Sequence, residues 1–194
     1  PNLRTTLPLD YDQRHNLTAS VDYRYGSGKN YNGPRIGGKD IFKNTGANLV
    51  ANFASGMPYS RSQIVTGAAL LNPQNPILMG EPYGSRKPWN FRADLQIDRN
   101  IALSFGSGES KKKKANLNIY LLMTNVFNTL NVLDVYRATG NAGDDGYLNA
   151  ADYQNSITQQ NSEATFRYLY ALKANDPYNF GIPRQIRFGA KLDF

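Results

Sequence analysis

The chain of 194 residues contains no cysteine. That excludes disulfides, zinc–thiolate sites and thiol nucleophiles. It contains one histidine, His15 in "DQRHN", which leaves no Ser-His-Asp triad and no histidine-based zinc hydrolase set. No stretch approaches the roughly 18 consecutive apolar residues of a transmembrane helix. Pro1 to Asp10 lacks the apolar core of a signal peptide. The "GSG" stretches at 26–28 and 106–108 do not open a strand–turn–helix with a lysine and Ser/Thr, so no phosphate loop is read there. Basic segments are not interleaved with stacking aromatics, which argues against nucleic acid. No group expected to do covalent chemistry remains, and the chain is not expected to be an enzyme.

What the chain does have is Gly, Asn and aromatics, including 13 tyrosines and 9 phenylalanines. This mixture favours β-structure with many turns. Period two then recurs along the chain. Asn16 to Tyr25 sets Leu17, Ala19, Val21, Tyr23 and Tyr25 against Thr18, Ser20, Asp22 and Arg24. Trp89 to Asp98 sets Trp89, Phe91, Ala93, Leu95 and Ile97 against Asn90, Arg92, Asp94, Gln96 and Asp98. Ala115, Leu117, Ile119, Leu121 and Met123 share a face opposite Asn116, Asn118, Tyr120 and Thr124. Ala47, Leu49, Ala51 and Phe53 form a shorter set. The closing stretch "RQIRFGAKLDF" places Ile186, Phe188, Ala190, Leu192 and Phe194 against Gln185, Arg187, Gly189, Lys191 and Asp193.

Alternation over about ten residues is the pattern of a transmembrane β-strand of about 9–11 residues. A soluble sandwich alternates too, usually over about five or six residues. Tyr23, Tyr25, Trp89, Phe91 and Phe194 stand at strand ends on the apolar face. That is where a barrel carries its interfacial aromatic girdles, although aromatics also favour strands in general. The connections are unequal. Gly26–Asp40 and Ser104–Lys114 are short, whereas Gly56–Lys87 and Thr129–Pro183 are long. Counting strands back from the last (184–194, 115–128, 88–101, 41–55, 16–25) puts the two long connections outside and the two shorter ones on the periplasmic side.

Five stretches carry a resemblance: "DYDQRHNLTASVDYRYG", "ASGMPYS", "GSRKPWNFRADLQIDRN", "NVFNTLNVLDVYRATGNAGDDGYL" and "GIPRQIRFGAKLDF". In order and spacing they resemble the C-terminal end of TonB-dependent receptors, in particular the Oar-like receptors of Bacteroidota. The resemblance implies an outer-membrane barrel of about 22 strands around an N-terminal plug, energised by an inner-membrane TonB complex for active uptake of a bulky solute. It also implies a role in outer-membrane insertion for the terminal Phe194. Five strands cannot close a barrel, so the expectation is an all-β antiparallel segment of a larger barrel, with plug and earlier strands absent. The expected location is the cell outer membrane. The expected partners are outer-membrane lipid, the remainder of the barrel and its plug, the TonB complex, and surface or periplasmic envelope proteins. Two alternatives stay open: a receptor-like barrel that docks other envelope proteins without transport, and a soluble glycan-binding β-sandwich.

Within this frame the polar strand faces would line the lumen: Asp22, Arg24, Arg92, Asp94, Gln96, Asp98, Arg187, Lys191 and Asp193. They would either touch a plug or solute, or form a solvated wall of compensated charge. "GNAGDDGYLNAAD" (Gly140–Asp152) fits a calcium loop, with Asn141, Asp145, the Tyr147 carbonyl, Asn149 and Asp152 as ligands around Gly146. It fits equally a plain Asp-Gly turn before a short helix over Ala150–Gln160. The basic run Ser110–Lys114 contributes much of the formal charge of +7. It reads as a solvated turn, or as a contact for anionic lipid headgroups or a periplasmic partner. The long connection Thr129–Pro183 is the candidate surface for a ligand or partner.

Overall fold

In the computed structural model, residues 6–63, 65, 77–105 and 113–194 are described. The strands, in chain order, are β1 (Asn16–Arg24), β2 (Arg35–Ile36), β3 (Lys39–Asp40), β4 (Thr45–Ala54), β5 (Pro58–Tyr59), β6 (Ser85–Arg86), β7 (Asn90–Phe105), β8 (Lys113–Thr124) and β9 (Gln185–Asp193). Two helices, α1 (Gln154–Thr158) and α2 (Glu163–Ala174), lie between β8 and β9. The five long strands form one sheet in the order β1-β4-β7-β8-β9, and β2–β3 and β5–β6 are small separate pairs. The fold is therefore strand-rich and antiparallel, as the alternation predicts. The chain divides into two compact units: a loop unit (Pro1–Asn16, Phe53–Asn90, Leu130–Gly181) and a sheet unit (Leu17–Asn52, Phe91–Thr129, Ile182–Phe194).

In the sheet unit, cross-strand register sorts the side chains. Leu95, Met123 and Ile186 face one another across β7, β8 and β9, and so do Ile97, Leu121 and Phe188. Ile101, Leu117 and Leu192 form a further row. The intervening rows carry the polar side chains, with Leu122 the apolar exception: Gln96, Leu122 and Arg187; Asp98, Tyr120 and Gly189; Asn100, Asn118 and Lys191. Side chains alternate across a strand, so these rows are the two faces of one sheet. The apolar face is open: Phe188 is 75% exposed, Leu17 65% and Val21 63%.

β7 runs to Phe105 and β8 begins at Lys113. The strands thus extend further into the expected 104–114 turn than the sequence indicates. Residues 106–112, with most of the basic run and the second "GSG", lie outside the described residues, as do the first five residues of the chain. The Gly26–Asp40 connection holds the β2–β3 hairpin, closed by Gly37 and Gly38 at φ +58° and +74°.

The loop unit has its own core. Ile157, Ala174, Tyr170 and Tyr147 are buried together, with Phe166, Tyr153 and Leu148 packed around them. Helix α2 starts at Ser162, whose Oγ accepts the Thr165 N–H at 3.5 Å, the usual hydroxyl cap. Glu163 pairs with Arg167 at 2.8 Å one turn later. Phe166, Tyr170 and Ala174, four residues apart, form its inward stripe. The short helix expected over Ala150–Gln160 is a 3-10 turn followed by α1.

A Cβ at Gly56 would overlap the Lys87 carbonyl oxygen and lie 2.8 Å from that of Pro88. Backbone cannot swing aside as a side chain can. Gly56→Ala is expected to destabilise the loop unit by about 1–3 kcal/mol, read as earlier proteolysis of the loops on heating, whereas Gly33→Ala, which meets mainly the Tyr31 and Tyr25 rings, is expected to cost less.

Candidate functional site

The polar face is tied together by side chains rather than left as a row of free charges. Asn48 on β4 donates to Asp22 on β1 at 3.2 Å, and Thr18 bonds Asn52 further along. Arg24 on β1 crosses β4 and makes two 3.0 Å bonds to Asp98 on β7. It can do so because β4 has glycine below it: a Cβ on Gly46 would meet the guanidinium at 2.6 Å. Asn118 on β8 bonds Asp98 at 3.4 Å and Asn100 at 2.8 Å. Tyr120 lies over Gly189 on β9 in the same way, 2.5 Å from where its Cβ would be. Arg92 chelates Asp94 at 2.8 and 2.6 Å, and Lys191 pairs with Asp193 at 3.1 Å. Arg187 donates to Gln185 at 3.1 Å, and Gln96 stands opposite Leu122 in the same row. The expected polar residues thus share one face and are largely paired with each other. Arg24 with Asp98, Arg92 with Asp94 and Lys191 with Asp193 are the charge pairs among them.

Asp94 also accepts the Asn125 N–H at 2.9 Å. Asn125 is 2% exposed and has φ +52°. Its amide donates to the carbonyls of Thr129 and Ile182 at 3.0 Å each, and its Oδ1 accepts the Thr129 N–H. Asn128, also left-handed, accepts the Arg184 N–H at 2.9 Å. "NVFN" is therefore the clamp that leads β8 into its connection and receives the chain again before β9. Asn tolerates positive φ and supplies both a donor and an acceptor. That pair of asparagines was the available signal.

The expected interfacial aromatics fall into local groups. Tyr23 packs edge-on to Tyr25 at 5.0 Å, and Tyr25 stacks on Phe42 at 5.6 Å. Phe91 meets Phe127 at 5.7 Å. In the loop unit, Trp89 is held between Phe53 at 4.8 Å and His15 at 5.7 Å. Phe194 is 96% exposed.

The 140–152 segment is organised by its own turns. Asn141 Oδ1 accepts the Gly143 N–H at 3.0 Å, and Asp144 Oδ1 accepts the Gly146 N–H at 2.8 Å. Gly146 has φ +83°. Asp145 is buried: Oδ1 accepts the Tyr147 N–H at 3.0 Å and Oδ2 accepts the Tyr170 hydroxyl at 2.6 Å. Asp152 sits in the 3-10 turn before α1. Among the described residues no group of three or more His, Cys, Asp or Glu side chains gathers as a metal cage. The geometry is that of an Asp-Gly turn anchored on α2.

The loop unit also contains a cleft of about 510 Å³ lined by Tyr59, Tyr83, Lys87, Asp134, Arg137 and Asp10 among others. Tyr83 has φ +58°, in a turn closed by the Gly84 N–H on the Glu81 carbonyl at 3.0 Å. A turn of this form usually places glycine or asparagine there. Ser60 Oγ accepts the Tyr83 N–H at 2.9 Å and holds it. Lys87 Nζ bonds Asp134 at 2.9 Å and the Leu133 carbonyl at 2.8 Å. Surrounding protein pushes the Asp134 carboxyl up. The Lys87 ammonium, the Val135 N–H and the Arg137 charge together outweigh that and hold it below the ordinary 3.8. Burial, then the charges of Asp145 and Asp176, raise the Tyr136 phenol, which stays protonated and donates to the Ala174 carbonyl at 2.7 Å.

No family model, curated protein or solved structure matches the chain.

Because the folded Asp134 pKa lies below its unfolded value, the pair's contribution is fully present above 3.8. It is lost as pH falls through the lower folded value. For so exposed a pair the contribution is under about 1 kcal/mol. The melting-temperature gap between the parent protein and Asp134→Asn is expected to be constant near neutrality and to close below pH 3.8. A gap that instead widens in acid would assign the stabilisation to another group.

Proposed function

We propose that this chain supplies wall strands and long outer connections of a TonB-dependent outer-membrane receptor that takes up a bulky solute. The observation that carries the reading is the open apolar face of the five-stranded sheet. Rows such as Ile97, Leu121 and Phe188 have no covering layer from this chain among the described residues. Exposed apolar area of this extent marks a surface meant for another apolar phase. The sandwich alternative needs a second sheet against that face. The other sheets among the described residues are two-residue pairs. Strand length supports the same reading. β1 and β9 have 9 residues each and β8 has 12, which suits a tilted crossing of about 9–11 residues.

Strands β1 and β9 form the sheet's edges. Lipid offers their backbone groups no hydrogen bonds, so neighbouring strands of a larger barrel would complete them. The mutually paired polar face would then be the lumen wall, facing a plug. The helical connection between β8 and β9 and the cleft at Tyr83 would supply surface for the solute. Uptake that persists without TonB would favour instead a barrel that only docks other envelope proteins.

Phe188→Arg tests the lipid-facing assignment directly. Arginine on the lipid face costs up to about 2–4 kcal/mol, less toward an interface, and the change is expected to show as loss of the heat-modifiable folded form from outer-membrane fractions. Asn118→Arg, on the polar face, is expected to insert normally. Because Phe188 is already exposed, a soluble domain would tolerate its replacement, and unchanged insertion of Phe188→Arg would contradict the reading.

A further inference from the structure

Among the described residues the apolar face carries a cation within its apolar rows, Arg99, besides Lys113 opposite Phe105 at the strand end. Arg99 on β7 is in register with Ile119 and, through it, Ala190. It therefore lies on the face of Ile97 and Ile101 and not on the polar one. Counted from Phe91, Arg99 is about nine residues along β7, close to the length of one membrane crossing, about 9–11 residues. A charge on the lipid face costs least at the interface, and that is where this count places it.

A second cation stands beside it. Lys43 precedes β4 in a tight turn, where Asn44 takes φ +56°. The Asn44 carbonyl accepts the Asn100 N–H at 3.0 Å, and the Thr45 N–H bonds the Phe42 carbonyl at 3.0 Å. These bonds fix Lys43 against β7. Lys43, Asn44, Arg99, Asn100, Ile101 and Ala102 line a recess of about 190 Å³. Among the described residues neither the Lys43 nor the Arg99 side chain has an ion pair or hydrogen bond. The nearby carboxylates are engaged elsewhere, Asp98 by Arg24 on the opposite face and Asp40 by Arg35 at 2.9 Å. The stacked Tyr25 and Phe42, with Tyr23, sit at the same end of the sheet. Tyrosines mark headgroup level in a membrane protein.

We infer that Lys43 and Arg99 form a binding site for the phosphate of an anionic phospholipid headgroup, on the side of the short connections. The inference rests on the barrel-wall reading. Lys43 and Arg99 line one open recess, and among the described residues no carboxylate pairs with either. The long side chains can lie along Ile97 and Ile101 with their charges at the headgroups. The acyl chains of the same lipid would cover the apolar rows beside the recess.

The full-length protein that carries this chain would be reconstituted in vesicles of phosphatidylethanolamine with or without phosphatidylglycerol. It would then be re-extracted in mild detergent and its retained lipid counted by mass spectrometry. The parent is expected to retain phosphatidylglycerol in preference. Lys43→Gln with Arg99→Gln is expected to lower that retention about tenfold, while Lys29→Gln with Lys39→Gln, an equal loss of charge, leaves it unchanged. Arg99→Lys, which keeps the charge, is expected to retain the lipid and shows that the effect is not misfolding. Undiminished retention in the double variant would overturn the site. Equal occupancy by inorganic phosphate in detergent, with no lipid preference, would make it a phosphate site and overturn the lipid assignment. A protein that floats with vesicles but prefers neither lipid refutes this inference alone, whereas one that does not float at all refutes the barrel reading with it.

Discussion

Cross-strand register is the constraint on which the sheet unit depends. Side chains alternate strictly with the backbone, so a slip of one residue between two strands would move a whole apolar set to the other face. Leu121 opposite Phe188 and Ile97, with Tyr120 opposite Gly189 and Asp98, leaves no freedom for such a slip. The polar face pins the same register independently. Arg24 reaches Asp98 only across Gly46, and Tyr120 fits only over Gly189. Either contact would be broken by the shift that would mix the faces.

The two faces solve opposite problems. Full charges on the polar side are matched within a strand, as Arg92 with Asp94 and Lys191 with Asp193, or across strands, as Arg24 with Asp98 and Asp22 with Asn48. The other side is left apolar and open, which in water would be a liability for aggregation. In a bilayer it is the favourable solvent boundary. A departure on that side, Arg99 with Lys43 beside it, falls where an interface would be and at the end of the sheet that carries Tyr23 and Tyr25. The loop unit is stabilised differently, by a compact aromatic core and by Asp145 buried against the Tyr170 hydroxyl. Among the described residues its strand pairing is confined to the two-residue β5–β6 pair and isolated bridges.

The strands were legible because period two persists over many residues in each. Connection lengths indicated only which side each connection takes; the neighbour order comes from pairing, since β4–β7 and β8–β9 are adjacent across long connections. Less legible was what lies between them. Helix α2 has a Ser162 cap and the stripe Phe166, Tyr170 and Ala174, but its outward positions Tyr168, Leu169 and Leu172 are apolar as well. That blurs the amphipathic pattern on which a helix is recognised. In the Asn141–Asp152 loop the spacing of oxygen ligands was readable, yet the direction of the Asp145 carboxylate depends on Tyr170, 25 residues further along. Asn125 and Tyr83 owe their roles to positive φ, which residues other than glycine do not announce. Arg99 was passed over because alternation in β7 is clear only to Asp98, and its place on the apolar face follows from pairing with Ile119.

The central claim is that one face of the sheet meets lipid and the other meets water. This chain contains no cysteine, so single cysteines introduced along β9 at 186–192 report each position without interference from thiols of its own. A water-soluble thiol reagent and a lipid-phase quencher would be applied to the protein in its native envelope. The account predicts a strict alternation: 186, 188, 190 and 192 quenched from the lipid, 187, 189 and 191 open to aqueous reagent. Uniform access to the aqueous reagent along the strand would contradict it.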